Sequence, residues 1–424
     1  MGRAALLAIA ALGLVVAPVE AAAQAAFQAA DPFFRQRGQA VRDRAQPAYD
    51  ALGLRAGAFT LWPSVQATAT HDDNVFAAEV DARAAVSLRL TPEITARSDW
   101  NRHRIEAYAR LDMNRSLDLA SENTSDWRLG GAGRLDVTRD THLAVDVDLE
   151  QGHEARTAAG ADPLTVRPVA FDSAAARLTA QTTHGRLRLA PHAGIRRIDY
   201  RDDVDAAGGP VEQDDRDRTT LSLSGRADYA VSPAASVFLQ IAGDDRDYRR
   251  VDGRPDRSST GRETLTGVDF ERGGLIRGEI AAGYRRQMFE DPAFGDLEGF
   301  SGRARLTWFP TALTTVSAAA ARAVADTGVV GAAGARRSDL SLVVDHELLR
   351  NLILTARIDH VEDAYVGRDR TDRRRGASLA ADYRLNRRHG LTAELSLMDQ
   401  ASDGAARGPR YRTVRMTVGA VARF

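Results

Sequence analysis

Residues 104–114 read RIEAYARLDMN, and apolar and polar side chains alternate along this stretch. The apolar set is Ile105, Ala107, Ala109, Leu111 and Met113, and the other set is Arg104, Glu106, Tyr108, Arg110 and Asp112. Successive side chains of a β-strand point to opposite faces, so the alternation predicts a strand with one apolar face and one charged face. A half-buried strand of a soluble protein has the same pattern, and this stretch alone does not separate the two settings.

The same alternation recurs along most of the chain. It returns at residues 143–150, 276–285 and 414–424. Each repeat is roughly ten residues long, which is the length of a tilted strand that crosses a bilayer. Recurrence from residue 57 to residue 424 favours an all-β fold, a transmembrane antiparallel up-and-down β-barrel.

Short and longer breaks alternate between the predicted strands. The short breaks lie near residues 99–102, 139–141, 184–185, 232–233, 273–274, 310–311, 350–351 and 387–390. The longer ones are 155–169, 201–218, 250–260, 291–298, 327–336 and 367–374. Short periplasmic turns and long extracellular loops are typical of bacterial barrels, and counting around these breaks predicts about 18 strands, within a range of 16–20.

The first 25 residues, MGRAALLAIAALGLVVAPVEAAAQA, predict a secretory signal peptide. Arg3 precedes an apolar run at residues 4–17, which is shorter than the roughly 20 residues that a spanning helix needs. Small residues at Ala21, Ala23 and Ala25 suit signal peptidase. We expect export through the inner membrane, cleavage near Ala23 to Ala25, and a periplasmic lead-in over residues 26–56. An uncleaved anchor or a buried helix is the alternative.

One face of the predicted strands carries charges of both signs, which are the candidate lumen-facing residues. They are Arg104, Glu106, Arg110, Asp112, Asp146, Asp148, Arg186, Arg188, Arg226, Asp228, Arg277, Glu279, Arg285, Arg357, Asp359, Asp382, Arg384 and Arg415. Charged rings inside a pore set its selectivity, whereas ion pairs between neighbouring strands stiffen the wall. The mixed signs predict both roles and no strong net selectivity.

Motifs for other chemistry are not apparent in the sequence. Nine histidines are scattered without a metal-ligand spacing. The acidic clusters at residues 71–74, 202–205 and 214–217 lack the glycine and terminal glutamate of an EF-hand loop. A formal net charge of −1 gives no general attraction to nucleic acid. We therefore predict no enzyme, cofactor, metal site or nucleic-acid partner.

The final stretch, YRTVRMTVGAVARF at residues 411–424, alternates and ends on an aromatic residue of the apolar face. It resembles the terminal-strand signal by which outer-membrane barrels are recognised for insertion. This resemblance implies that Phe424 is a C-terminal insertion signal and that the barrel-assembly machinery is a partner. On the opposite, extracellular side, we expect the basic run at residues 368–375 to be a solvated loop or to contact lipopolysaccharide phosphates.

Several stretches resemble a family of outer-membrane β-barrel porins of proteobacteria, some of which are encoded with exopolysaccharide export systems. They are AYDALGLRAGAFTLWPSVQATATHDDNVFA from residue 48, RPVAFDSAAARL from 167, FPTALTTVSAAAAR from 309, VVDHELLRNLIL from 343 and DYRLNRRHGLTAEL from 382. The resemblance implies a porin-like channel for passive passage of small polar solutes, with outer-membrane lipid and lipopolysaccharide as partners. The alternatives are an accessory barrel of exopolysaccharide or capsule export, with export components as partners, and a plugged structural or adhesive barrel.

Overall fold

The structure, a computed structural model, describes residues 38–424 apart from residues 160, 162, 163, 326, 328 and 330. The predicted signal peptide, residues 1–25, lies outside the described residues. No helix in the described part of the chain is long and apolar enough to cross a membrane. Three short 3-10 helical turns lie at Val41–Asp43, Ala120–Glu122 and Asp214–Arg216.

The described chain is otherwise made of strands. They are β1 (Leu54–Ala56), β2 (Phe59–Asp72), β3 (Ala85–Ser98), β4 (Arg104–Ser116), β5 (Thr124–Asp136), β6 (Thr141–His153), β7 (Ala170–His184), β8 (Leu187–Tyr200), β9 (Asp203–Val204), β10 (Pro210–Val211), β11 (Arg218–Ser232), β12 (Ala235–Tyr248), β13 (Ser259–Arg272), β14 (Ile276–Phe289), β15 (Leu297–Thr311), β16 (Thr314–Ala325), β17 (Gly334–Leu349), β18 (Leu352–Val366), β19 (Thr371–Arg384), β20 (His389–Asp403) and β21 (Tyr411–Arg423).

Eighteen of these strands, β2–β8 and β11–β21, form one closed antiparallel barrel within the described residues. Each pairs with its neighbours in chain order, and β2 pairs with β21 to close the barrel, with Ser64 opposite Arg423. β8 pairs with β11 across a loop that contains the small β9–β10 hairpin. The predicted fold class and the predicted strand number are confirmed.

Turns of two to five residues at one end of the barrel alternate with mostly longer loops at the other. The turns are residues 99–103, 137–140, 185–186, 233–234, 273–275, 312–313, 350–351 and 385–388. The loops are 73–84, 117–123, 154–169, 201–217, 249–258, 290–296, 326–333, 367–370 and 404–410. The two ends are therefore the periplasmic and the extracellular end, respectively.

The loop predicted at residues 367–374 is shorter than the sequence suggested, because β19 already begins at Thr371. Charged residues at its end are partnered across the sheet: Arg373 Nε donates to Glu362 at 2.8 Å, and Arg374 Nη2 donates to Asp363 at 2.5 Å. The expectation that the whole basic run of residues 368–375 lies in an extracellular loop is thus wrong for residues 371–375, which belong to β19. Cross-strand ion pairs allow this polar stretch to continue the ladder.

The faces of the barrel are polar inside and apolar outside. In β12, Leu239 and Ile241 are 48% and 56% exposed. The alternate residues of the same strand, Phe238 and Gln240, are each 3% exposed. Asp228 of β11 is fully buried. Exposed aliphatic side chains and buried charges reverse the order of a water-soluble protein, and this reversal is what a lipid-facing barrel wall requires.

Candidate functional site

The inner face of the barrel carries the predicted lumen charges, with one exception. On the strand face opposite the exposed apolar side chains lie Arg104, Glu106, Arg110 and Asp112 of β4, Asp146 and Asp148 of β6, Arg188 of β8, Arg226 and Asp228 of β11, Arg277, Glu279 and Arg285 of β14, Arg357 and Asp359 of β18, Asp382 and Arg384 of β19, and Arg415 of β21. Arg186 instead lies exposed in the β7–β8 turn. Gly185 has a positive φ of 58°, which turns the chain there, and β8 begins only at Leu187.

Arg226 organises the most buried group of these charges. Its Nε donates to Asp228 at 2.9 Å, its Nη1 to Glu279 at 2.7 Å and its Nη2 to Asp269 at 2.5 Å. Its guanidinium also lies over the ring of Phe238. A contact from β11 to β14 passes over two intervening strands, and this is geometrically possible only on the concave side of the wall. The contacts therefore place this group in the barrel interior.

The same group is balanced in charge. Glu279 also accepts from Arg303 Nε at 2.5 Å, and Arg188 lies 3.5 Å from Asp228. Three arginines, namely Arg188, Arg226 and Arg303, thus face the three carboxylates of Asp228, Asp269 and Glu279. Asp269 and Arg303 are not among the predicted lumen-facing charges, although each has the strand parity of the inner face. Because its charges are paired with one another, this part of the wall is stiff and contributes little net potential to the lumen.

Other inner charges are reached by water. Arg128 of β5 binds Asp148 at 3.0 Å and its side chain is 49% exposed, and Tyr108 donates to the same carboxylate. Arg357 of β18 binds Asp359 at 2.7 Å and its side chain is 45% exposed. Both arginines are thus about half exposed on the inner face. They are the charges that a solute in the lumen would meet.

The segment of residues 38–50, called the N-terminal strap here, lies against the inner wall near the periplasmic turns. Val41 is 1% exposed, and its N–H donates to Thr315 Oγ1 of β16 at 3.0 Å. At one end of the strap, Arg277 of β14 donates to the carbonyl of Gly38 at 3.3 Å, and at the other end Asp50 binds Arg384 of β19 at 2.9 Å. The strap therefore crosses the inner face from β14 to β19.

Two arginines hold the strap against acidic side chains of the wall. Arg42 donates from Nε to Asp345 at 2.7 Å, from Nη1 to Asp382 at 2.9 Å and from Nη2 to Thr355 Oγ1 at 2.5 Å. Arg44 donates from Nη1 to Glu347 at 2.7 Å. In the sequence, these arginines belong to the predicted periplasmic lead-in of residues 26–56. Nothing in their local pattern shows the carboxylates that they contact, which lie some 300 residues away in sequence.

At the extracellular end, residues 154–157 contact distant parts of the barrel rim. The Tyr411 hydroxyl of β21 lies 3.4 Å from the carbonyl of Thr157, although four strands separate β21 from β6 along the wall. On the other side, Glu154 accepts from Arg216 Nη2 at 2.7 Å. Arg156 binds Glu122 of a third loop at 2.8 Å. These contacts tie residues 154–157 to β21 and to two other loops at the extracellular end.

Metal binding receives no support from the geometry: no group of three His, Cys, Asp or Glu side chains in the described ranges could hold a metal ion. The carboxylates of the predicted acidic cluster at 214–217 are bound by arginines instead, with Asp214 3.0 Å from Arg249 and Asp215 2.5 Å from Arg254. Phe424, the predicted insertion signal, is 48% exposed on the same face as the exposed Val418 and Met416.

Comparison with known proteins gives a family and several similar structures. A family model described as "Putative beta-barrel porin 2" matches residues 46–424. The outer-membrane protein OpdK from Pseudomonas aeruginosa is 12% identical, with 86% of this chain and 99% of that chain covered and a TM-score of 0.46. OccK2 (OpdF) from Pseudomonas aeruginosa, solved in complex with glucuronate, is 13% identical, with 86% and 98% covered and a TM-score of 0.45.

A siderophore receptor, PirA from Acinetobacter baumannii, is 8% identical, with 90% of this chain and 81% of that chain covered and a TM-score of 0.46. No curated protein matches the sequence.

Proposed function

The chain belongs to the family described as "Putative beta-barrel porin 2" and is a porin-like outer-membrane barrel, and from this premise we propose that it carries small polar solutes passively across the outer membrane. The observation that carries the proposal is the reversed polarity of the wall. Apolar side chains such as Leu239 and Ile241 point out of a closed barrel, and charged side chains point in. A water-filled, charged interior offers polar solutes a path that the bilayer does not.

The proposed channel has weak selectivity between cations and anions. The solvent-exposed inner arginines Arg128 and Arg357 each have a carboxylate partner, Asp148 and Asp359. The buried group around Arg226 is balanced in charge as well. A lumen whose charges are mostly paired gives small ions of either sign a similar potential. We also assign the protein a transport role rather than an enzymatic one, which the family supports.

Planar-bilayer recording of the purified, refolded protein tests the proposal. Discrete ohmic conductance steps are expected, with a reversal potential near zero in a salt gradient. Charge reversal of Arg357 to Glu, inside the lumen, should shift the reversal potential toward cation selectivity. The matched control is Arg102→Glu, which makes the same charge change in an exposed periplasmic turn and should shift it little. A folded barrel that gives no steps would contradict the channel proposal and favour a structural role.

A second proposal concerns export of the protein and residues 1–25. We propose that residues 1–25 are a signal peptide that is removed on export. The expected mature protein in the outer membrane starts shortly after Ala23 or Ala25. Its intact mass, measured on protein from the outer-membrane fraction, checks this. A mass equal to that of the full chain would contradict the cleavage.

A further inference from the structure

We propose that the N-terminal strap is a displaceable closing segment of the channel, latched to the inner wall by Arg42. The inference concerns regulation and rests on the proposed channel function. Its evidence is the course of the strap, which crosses the inner face from β14 to β19 close to the periplasmic turns. Arg387 of the β19–β20 turn donates to the carbonyl of Pro47 at 2.9 Å, and Arg44 donates to the carbonyl of Ala312 in the β15–β16 turn. The strap thus lies at the periplasmic mouth.

Polar contacts, rather than apolar packing, hold the strap. Val41 is its one buried apolar side chain among the described residues, whereas Ala45, Pro47 and Ala48 are exposed. Apart from the bond between the Val41 N–H and Thr315, charged groups make the bonds to the wall: Arg42 to Asp345 and Asp382, Arg44 to Glu347, and Asp50 to Arg384. A segment with so little buried apolar surface can leave the wall without exposing a core, because burial of apolar area is the dominant cohesive term in proteins.

The contact set of Arg42 with Asp345, Thr355 and Asp382, called the latch here, suits a guanidinium group. Three of the Arg42 nitrogens reach three different strands, through Asp345 of β17, Thr355 of β18 and Asp382 of β19. The planar fork of arginine satisfies this triangular set, which an amide or a single ammonium cannot do with the same geometry. Thr355 also donates to Asp345 at 2.6 Å, so the wall side of the latch is held in place independently of the strap. Loss of the Arg42 charge should therefore weaken the attachment of the strap and leave the wall intact.

The chain offers a clean cross-linking test, because its full sequence contains no cysteine. A Val41→Cys/Thr315→Cys variant places two unique thiols at residues that already touch, with the Val41 N–H 3.0 Å from Thr315 Oγ1. A short reducible thiol cross-linker should join them in the native outer membrane, and the product is detected by its gel mobility after trypsin treatment. Absence of the cross-link in a folded, heat-modifiable barrel would overturn the placement of the strap.

Conductance then tests the closing role. Arg42→Gln should raise the ratio of open to closed time about tenfold relative to the natural sequence. The variant loses ion pairs that stabilise the closed state, and a loss of about 1.4 kcal/mol changes such a ratio tenfold. The control is Arg55→Gln, which removes an arginine just beyond the strap whose side chain is 80% exposed. Arg55→Gln should leave the gating unchanged. An equal ratio of open to closed time in the two variants would overturn the proposed role of Arg42 in holding the strap closed.

The cross-link and Arg42→Gln combine in the decisive experiment. In the triple variant, the cross-linked channel should stay mostly closed despite Arg42→Gln, and reduction should open it. Conductance that does not change on reduction overturns the closing role while leaving the channel proposal standing. Absence of conductance from the reduced triple variant, in folded protein, overturns the channel proposal and this inference together.

Discussion

The guanidinium of Arg226 lies over the ring of Phe238, with its Cζ atom 3.6 Å from the ring centroid. Both side chains are buried on the inner wall, and the same guanidinium is bound by Asp228, Asp269 and Glu279. One residue therefore joins β11 to β12, β13 and β14 through cation–π and charge-assisted bonds at once. The stability of this quarter of the barrel should depend on it.

We predict that Arg226→Met lowers the free energy of unfolding by about 3–5 kcal/mol, because buried Asp269 loses the arginine that binds it, and Asp228 and Glu279 each lose one of two. The matched control is Arg357→Met, because the Arg357 side chain is 45% exposed and pairs with Asp359. This variant should lower the free energy of unfolding by less than about 1 kcal/mol. Urea unfolding in detergent micelles or liposomes measures both. Equal losses in the two variants would show that the Arg226 group is not a structural centre.

Residue alternation was sufficient to predict the barrel, because a period of two is visible in the sequence wherever one face meets lipid and the other meets water. The contacts between distant strands were not predictable in this way. Arg226 binds Glu279 53 positions away, and Arg42 binds Asp382 340 positions away. Such pairs depend on how far the wall curves, and alternation does not encode curvature. For the same reason, the sequence did not show that the strap lies on the inner face or that Thr157 meets Tyr411.

Asp217 is the last residue of the loop between β8 and β11. We predict that its carboxyl makes the stability of that loop depend on pH. Burial, together with the nearby Asp199 and Asp214, raises the pKa of its carboxyl to about 6, against the opposing bonds from the Tyr200 N–H at 2.7 Å and from Arg249. A raised pKa means that the folded loop binds the proton more tightly than the unfolded loop. The stabilising effect of the proton is complete below about pH 4 and is lost as the pH rises through about 6.

Hydrogen-exchange protection of residues 201–217, corrected for the intrinsic effect of pH, should therefore fall between about pH 4 and pH 6. Asp217→Asn keeps a carbonyl oxygen that can accept from the Tyr200 N–H but cannot ionise. It should flatten the profile and increase protection at pH 7. Identical profiles for the two proteins would show that Asp217 does not control the docking of the loop.

Close backbone packing on β14 makes Gly283 sensitive to substitution. A Cβ atom at this position would overlap the Thr264 carbonyl on β13 and would lie 2.9 Å from the Leu265 Cα. Backbone atoms of a paired strand cannot move aside cheaply, so Gly283→Ala should destabilise the barrel by about 1–3 kcal/mol. Gly225→Ala on β11 is the control, because nothing lies within 4 Å of its added Cβ. Urea unfolding measures the stability of both variants. Equal unfolding midpoints for Gly283→Ala and Gly225→Ala would refute the packing argument.

Ile241 tests whether lipid covers the outside of the wall. It lies near the middle of β12, it is 56% exposed, and its neighbours on β11 and β13 are Gly225 and Thr264. If its surroundings are hydrocarbon, Ile241→Arg should cost about 2–4 kcal/mol and reduce the yield of folded barrel in the outer-membrane fraction. Ile241→Leu keeps the side chain apolar and should fold normally. If water covered this surface, an arginine at such an exposed site would change stability by less than about 0.5 kcal/mol. The free energy of folding of Ile241→Arg into liposomes therefore separates a lipid-facing wall from a solvated one, and a value equal to that of Ile241→Leu would contradict the transmembrane barrel itself.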